Sequence, residues 1–284
     1  MRREIEIIAI IAFIGIAFGL GWLIPSFIPE EQCPDCLDCP DCPYCPDCPE
    51  ELEPLLDQIK ARGELIVGTA ADYPPFENFT WPYTGEIEGF DVDLSQMIAA
   101  ELGVDLVMTH IDFTQLISAC NANTIDMVAA AMTYTSFRAE VLAPSITYMT
   151  FSQVVIVRND SVLIIESLDN LTSYTVGVQS GTIMQQELED LGMTVGVDLI
   201  IYPSADSLIV GLDVGAIDAA YVDEPIFTVY NEIYVLKIIF GTPTDHLALW
   251  CKYGEPELLY VINKVISEAY QNGTIYNLIE TWFG

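Results

Sequence analysis

Short apolar runs alternate with helix-forming stretches along most of this sequence, and this alternation limits the fold more than any other feature. Runs of strand length are predicted at 64–68, 106–111, 127–132, 152–158, 174–178, 199–202, 217–222, 234–239 and 246–251. Helices are predicted at 52–62, 89–102, 113–119, 182–191, 206–215, 257–270 and 274–283. Strands that alternate with helices form a mostly parallel sheet, so we expect an α/β fold.

Polar side chains follow several predicted strands, and one of them is an arginine. The run 127–132 is entirely apolar, and Thr133 and Arg138 come after it. Tyr73 lies beyond the end of the first strand. Ligands of parallel sheets bind at the carboxyl ends of the strands, and a guanidinium can bind a carboxylate through two parallel hydrogen bonds. We therefore expect a socket for a small carboxylate at Arg138; the alternative is a structural ion pair.

The charge of the chain excludes two classes of partner. Only 9 Lys and Arg stand against 42 Asp and Glu, which gives a net charge of -33. Nucleic acid and anionic lipid both attract basic residues, so binding to either is not expected. We interpret the acidity as a solvated surface. The residues after the N-terminal segments, about 230, can form one large domain or two lobes of ordinary size.

The first 29 residues predict a membrane anchor. Arg2 and Arg3 precede an apolar run from 7 to 28, which is long enough to span a bilayer. No small-residue cleavage site follows the run, so we expect an uncleaved transmembrane helix. The two arginines favour a cytoplasmic N-terminus, with the rest of the chain extracellular or periplasmic.

Residues 30–51 form a Cys/Pro-rich linker with a three-residue repeat. The repeat reads CPD-CLD-CPD-CPY-CPD-CPE and begins with Cys33, Cys36, Cys39, Cys42, Cys45 and Cys48. Its proline content favours a polyproline II helix, which places all the thiols on one edge. Three interpretations remain open: a semi-rigid spacer, disulfide cross-links within or between chains, and a metal site.

Other polar residues carry weaker signals. Four sequons agree with export and make glycosylation candidates of Asn78, Asn159, Asn170 and Asn272. Two further cysteines, Cys120 and Cys251, lie in apolar surroundings and are expected to be buried free thiols, with a disulfide between them as the alternative. The two histidines, His110 and His246, are expected to be ordinary residues at strand ends.

Seven sequence blocks, in order, make the outer domain recognisable. They read GTAADYPPF, EGFDVDL, IDFTQLI, IDMVAAAMTYTSFR, VGVQSGT, GAIDAAYVDEP and NGTIYNL. Together they closely resemble the polar amino-acid-binding family (family 3) of extracellular solute-binding proteins, over residues 52–284. The resemblance implies the type II periplasmic-binding-protein fold, in which two crossing strands join two α/β lobes. By resemblance, one lobe is 52–148 with 245–284, and the other is 150–242.

The resemblance also implies roles for individual residues. Arg138 matches the arginine that binds the α-carboxylate of the ligand, and Thr133 matches a hydroxyl donor beside it. Thr182 matches a donor from the second lobe, and Asp223 matches the acid that accepts the α-ammonium. The aromatic residues that flank the ligand side chain match Tyr73 and Phe113. A zwitterion needs such a pair of opposite sockets, with an apolar slot between them.

Departures from the family pattern bear on the ligand side chain. Members that bind basic or amide side chains usually carry an acid where this chain has Ala70, and small hydroxyl or glycine positions appear as Ala130 and Ala131. Asp72 is expected to lie on another face. We therefore predict a neutral ligand, whose side-chain end Gln179 contacts.

Together these features predict a membrane-anchored extracellular receptor that captures a free amino acid by lobe closure and delivers it to an ABC-type importer. The expected partners are the amino acid, the ABC permease and the membrane. No cofactor and no catalysis are expected, because no nucleophile and base stand together in a motif. The cysteine repeat supports an alternative: a disulfide-cross-linked subunit of a cell-surface assembly or filament, which self-associates and keeps the binding-protein fold.

Overall fold

The computed structural model describes residues 53–80 and 84–284. The predicted anchor at 1–29 and the Cys/Pro-rich linker at 30–51 lie outside the described residues. Within the described ranges, none of the helices combines the length and the apolar composition needed to cross a bilayer.

The described elements follow the predicted alternation. The strands are β1 Glu64–Thr69, β2 Asp72–Tyr73, β3 Glu77–Phe79, β4 Ile87–Glu88, β5 Asp105–His110, β6 Met127–Val128, β7 Ala143–Pro144, β8 Met149–Arg158, β9 Val176–Gln179, β10 Leu199–Tyr202, β11 Ala219–Asp223, β12 Leu236–Leu247 and β13 Trp250–Cys251. The α-helices are α1 Leu55–Arg62, α2 Phe90–Leu102, α3 Leu116–Asn121, α4 Ile183–Asp190, α5 Ala205–Asp213, α6 Glu224–Asn231, α7 Pro256–Asn272 and α8 Thr274–Phe283. Short 3₁₀ helices cover Phe113–Gln115, Arg138–Glu140 and Leu168–Ser173.

Two five-stranded sheets form the centres of two lobes. The first sheet has the order β5-β1-β6-β13-β7, with β1 parallel to β5 and β6. Helices α1, α2, α3, α7 and α8 pack with this sheet or with one another. The second sheet has the order β10-β9-β11-β8-β12, with β9 parallel to both of its neighbours, and α4, α5 and α6 pack on it. The two-lobed α/β fold is therefore confirmed.

Strands β8 and β12 cross between the lobes as an antiparallel pair. At its last residue, Leu247, β12 reaches the first lobe and forms an isolated bridge with Thr133. The pairing slips between Gly241 and Thr244, and Pro243 in this interval has no N–H to donate to a ladder. The predicted lobe boundaries, at 148–150 and 242–245, lie near the end of this pair at which Met149 is opposite Leu247, and they stay a prediction.

The prediction for 234–251 was wrong in detail. It placed two separate strands at 234–239 and 246–251, whereas the chain forms the single strand β12 and the two-residue strand β13. Pairing with β8 carries β12 through the irregular interval that the sequence pattern marks as a break. The antiparallel sheet β2-β3-β4 was not predicted, because strands of two or three residues show no measurable period.

The predicted strand 127–132 is also shorter than expected. Only Met127 and Val128 are in strand conformation, and the apolar residues after them stay buried. Ala131 has a φ of +44°, which few non-glycine residues adopt. Its backbone N–H donates to Asp91 Oδ2 at 2.8 Å. This side-chain acceptor replaces a ladder partner and turns the chain out of the strand.

The remaining predicted residues have ordinary environments. Cys120 and Cys251 are buried and free, as expected, and burial raises the pKa of each thiol to about 12. The Nδ1 atom of His110 accepts the backbone N–H of Ala71 at 3.0 Å, a structural contact. Three of the predicted sequon asparagines, Asn159, Asn170 and Asn272, are exposed, whereas Asn78 is half-buried in β3. Their glycosylation stays a prediction.

Gly89, directly before α2, gives a test of this fold. Its φ is +145°, and a Cβ there would lie 2.0 Å from the backbone oxygen of Phe76. We expect Gly89→Ala to lower the free energy of unfolding by about 2–4 kcal/mol, since the clash is with backbone and cannot relax by a rotamer change. Denaturant titration followed by circular dichroism measures this loss.

The matched control is Gly254→Ala. Gly254 has a φ of +89°, but a Cβ there meets nothing within 4 Å. Gly254→Ala should therefore lower the free energy of unfolding only by the cost of holding alanine in a left-handed backbone conformation, about 1–2 kcal/mol. Equal losses in the two variants would contradict the assignment of Gly89 as a position of close backbone approach.

Candidate functional site

A cavity of about 340 Å³ lies between the two lobes. Thirteen residues line it, and they include all eight that the sequence analysis assigned to ligand binding. These eight are Tyr73, Phe113, Ala131, Thr133, Arg138, Gln179, Thr182 and Asp223. Their roles in binding stay predictions, but the fold brings them to one place. A volume of this size suits a small molecule.

Arg138 begins the 3₁₀ turn at the wall of the cavity and is 6 % exposed. Its Nη1 donates to the backbone oxygen of Thr133 at 2.7 Å, and its Nη2 donates to the backbone oxygen of Gly181 at 3.1 Å. The guanidinium carbon lies 5.5 Å from the centroid of the Phe113 ring, a cation–π distance. Burial lowers the pKa of Arg138 to about 10.

No carboxylate among the described residues forms a salt bridge with Arg138. The alternative of a structural ion pair is therefore wrong for the part of the chain that the structure describes. Arg62, by contrast, forms a structural ion pair, because its guanidinium pairs with the carboxylate of Asp126. Arg138 instead holds its positive charge beside a cavity, with carbonyl oxygens and an aromatic ring as its partners.

Asp223 ends β11 on the second lobe and is 4 % exposed. Its Oδ2 accepts a hydrogen bond of 2.5 Å from the Tyr73 hydroxyl, and its Oδ1 is buried with no hydrogen-bond partner. Burial, with a smaller contribution from the nearby Asp245, raises the pKa of Asp223 to about 7. A buried carboxylate oxygen without a donor is costly, so a ligand with an N–H or O–H donor gains affinity there.

Asp72 corrects a detail of the sequence analysis. It was expected to lie on another face, but it lines the cavity, where its Oδ1 accepts a hydrogen bond of 3.3 Å from Gln179 Nε2. Burial raises the pKa of Asp72 to about 7. The chain leaves β1 at Thr69 and enters β2 at Asp72, so the strand alternation used for that prediction does not continue between them.

The hydroxyl groups have partners of their own. Thr182 caps α4: its Oγ1 donates to the backbone oxygen of Gln179 at 2.8 Å and accepts from the Gln185 backbone N–H at 3.4 Å. Burial raises the pKa of the Asp245 carboxyl, and the nearby His246, Arg138 and Thr133 partly offset this rise. Asp245, on β12, was missed by the sequence analysis. It lies in an exposed stretch without a motif, so nothing in the sequence pointed to it.

Hydrogen bonds cross the cavity from one lobe to the other, so the structure has the lobes closed. In each of these hydrogen bonds the donor is a side chain that lines the cavity. The pairs are Arg138 with Gly181, Tyr73 with Asp223, and Gln179 with Asp72.

Comparisons with known proteins agree with this geometry. The sequence profile of the family described as "Bacterial extracellular solute-binding proteins, family 3" matches residues 65–284. The arginine-binding extracellular protein ArtP of Bacillus subtilis is 29 % identical over 224 residues, which cover 78 % of this chain and 86 % of that protein.

Solved structures are similar as well. The P235GK mutant of ArgBP from T. maritima superposes with a TM-score of 0.76 at 32 % identity, over 80 % of this chain and 98 % of that one. An ancestral arginine-binding protein bound to glutamine superposes with a TM-score of 0.72 at 31 % identity, over 78 % of this chain and 99 % of that one.

The buried carboxyls make stability depend on pH. Burial raises the pKa of Asp91 and of Asp223 from 3.8 to about 7. Each group binds a proton more tightly in the folded state, so its contribution to stability is present at acidic pH and is lost as the pH rises through about 7. We expect the Tm of the ligand-free protein to fall from pH 5 to pH 8, measured by scanning calorimetry.

Asp223→Asn isolates one of these groups. It removes the titration at that position, so its Tm should fall less steeply over the same range. Asp213→Asn, at an exposed position, removes the same charge from the surface and should keep the slope of the wild type. An unchanged slope in Asp223→Asn would contradict the raised pKa.

Proposed function

The chain belongs to the bacterial extracellular solute-binding proteins of family 3, and we propose that it captures a free amino acid in the cavity between its lobes for an ABC-type importer. This proposal is supported most by two groups in that cavity, each of which lacks a partner of opposite charge or a hydrogen-bond donor. The guanidinium of Arg138 has no carboxylate partner, and the Oδ1 atom of Asp223 has no donor.

An amino acid supplies both missing partners. Its α-carboxylate can accept from the guanidinium of Arg138, and its α-ammonium can donate to Asp223. The two sockets belong to different lobes, so only a closed cavity offers both at once. The ligand shifts the equilibrium toward closure by its higher affinity for the closed state. We infer capture without catalysis, since the relatives compared are named for binding.

The part of the cavity lined by Asp72 and Gln179 favours a ligand side chain with hydrogen-bond donors. The Asp72 carboxyl is an acceptor there, and the Gln179 side chain beside it offers an amide. Arginine and glutamine both carry N–H groups at the side-chain end, and similar proteins are named as arginine-binding or are bound to glutamine. The prediction of a neutral ligand stays a prediction.

The segments before residue 53 complete the proposal. We propose that residues 1–29 anchor the protein in the membrane with the N-terminus in the cytoplasm, and that residues 30–51 hold the binding domain outside it. The cysteine repeat is then a spacer or a cross-link between neighbouring receptors. The alternative of an assembly subunit rests on that repeat alone, and no compared protein supports it.

Calorimetry with the twenty amino acids tests the site. We expect at least one of them to bind wild type tightly, and Arg138→Ala to weaken that binding by about 2–5 kcal/mol, because the ligand carboxylate would be buried without a partner. Arg62→Ala is the matched control: it removes an arginine from a structural pair outside the cavity, so it should lower stability and leave affinity unchanged. Full affinity in Arg138→Ala would contradict the assignment.

Asp72→Asn tests the side-chain end. The substitution keeps a hydrogen-bond acceptor and removes the charge, so affinity for L-arginine should fall about tenfold or more, whereas affinity for L-glutamine should change by less than about threefold. Competition calorimetry at pH 8 measures both, since a carboxyl with a pKa of about 7 is largely ionised there. Equal changes for both ligands would show that Asp72 does not contact the side chain.

A further inference from the structure

Asp91 is a buried acid that does not line the cavity, although its side chain is hydrogen-bonded to the cavity wall. It lies in the first turn of α2 and is 0 % exposed. Its Oδ1 atom is buried without a hydrogen-bond partner among the described residues. A buried carboxyl with an unpartnered oxygen lowers the stability of a protein, so we looked for its role in the contacts of the other oxygen.

The Oδ2 atom of Asp91 joins two separate parts of the first lobe. It accepts the backbone N–H of Ala131 at 2.8 Å and the hydroxyl of Tyr148 at 2.9 Å. Ala131 lines the cavity, and Tyr148 directly precedes Met149, the first residue of the crossing strand β8. One carboxyl oxygen therefore connects the wall of the cavity with the base of the hinge.

Ala131 is the point at which the chain leaves the sheet and enters the cavity wall. Strand β6 ends at Val128, and Ala131 has a φ of +44°. This left-handed conformation is unfavourable for alanine and persists only when neighbouring groups hold it. The hydrogen bond to Asp91 is the contact that holds the N–H of this residue.

The segment after this turn carries the groups assigned to the ligand carboxylate. The backbone N–H of Tyr134 donates to the backbone oxygen of His246 at 2.7 Å, which holds the segment against the end of β12. The backbone oxygen of Thr133 accepts from Arg138 Nη1 at 2.7 Å. The backbone path that starts at Ala131 thus determines where the guanidinium lies.

We propose that Asp91 is a positioning residue for the amino-acid site: by holding the turn at Ala131, it places the segment that leads to Arg138 and so sets the affinity for the ligand carboxylate. This inference rests on the proposed function. Asp91 acts through the backbone N–H that it accepts and does not touch the ligand. The required property is a hydrogen-bond acceptor of this shape, which a carboxyl and a carboxamide both provide.

Two substitutions at this position separate the acceptor from the charge. Asp91→Leu removes the acceptor and keeps a side chain of similar size, so the ligand should bind about tenfold or more weaker. Asp91→Asn keeps a carbonyl acceptor, so affinity should stay within about threefold of wild type. If Asp91→Leu does not fold, Asp91→Ala takes its place. Equal losses in the Leu and Asn variants would overturn the assignment of an acceptor role.

Tyr148→Phe is the matched control. It removes the other donor to the same oxygen and leaves the N–H of Ala131 bonded, so it should lower the Tm and keep affinity within about threefold. A merely structural role of Asp91 predicts a different result. Asp91→Leu would then lower the Tm and the number of binding sites per protein, and the affinity of the folded fraction would equal that of wild type.

Glycine at the turn gives a rescue experiment. Glycine adopts positive φ without a steric penalty, so Ala131→Gly in the Asp91→Leu background relieves the strain that the lost hydrogen bond no longer offsets. The double variant should bind at least about threefold tighter than Asp91→Leu alone. No recovery would show that Asp91 does not act through this turn, and it would overturn the inference.

Isothermal calorimetry measures affinity and stoichiometry, and scanning calorimetry gives the Tm of each variant. The twenty L-amino acids are the probes, with L-arginine and L-glutamine first, and the tightest binder of wild type is used for all variants. If wild type binds and Asp91→Leu binds with the same affinity, this inference is overturned and the proposed function stands. If wild type binds none of the twenty, the proposed function fails and this inference fails with it.

Discussion

The candidate site depends on one buried guanidinium that has no carboxylate partner within the described part of an otherwise acidic protein. Removing a positive charge from water is costly unless dipoles or anions replace the solvent. Arg138 keeps its charge through the carbonyl oxygens of Thr133 and Gly181 and through the face of the Phe113 ring. Because one carbonyl comes from each lobe, the environment of this cation changes when the lobes separate. Recognition of an anion and movement of the lobes are therefore consequences of the same interaction.

Much of the fold could be predicted from the sequence, because local pattern and tertiary structure agree over most of the chain. A helix was predicted over 89–102, for example, and α2 ends at Leu102, where Gly103 is a left-handed cap with a φ of 71°. The errors occur where a distant side chain decides the backbone. The strand 127–132 ends early because Asp91 accepts the N–H of Ala131, and no local pattern shows a bond between residues forty positions apart.

The site could be predicted to about the same extent as the fold, again where local sequence pattern and tertiary structure agree. Residues that follow a predicted strand, such as Thr133 and Arg138, could be placed because parallel strands deliver their ends to one edge of the sheet, and Asp223, the last residue of β11, was placed by resemblance. Asp72 could not, because it belongs to a hairpin whose short strands leave no periodic signal. Asp245 was missed because it lies in a mostly exposed stretch of β12 that carries no motif.

The protonation of the cavity is part of its recognition. Asp72 and Asp223 both have a pKa of about 7, so near neutral pH the empty cavity carries less negative charge than its residues suggest. An ammonium group beside Asp223 favours the ionised carboxylate and lowers its pKa. The ligand therefore meets a partner that becomes fully charged only when the ligand is present. A molecule without an amine leaves Asp223 only partly ionised near neutral pH, and it gains neither the charge pair nor the closure that the pair stabilises. This coupling lets a cavity that contains Arg138 and several acids discriminate for a zwitterion over a simple anion or cation.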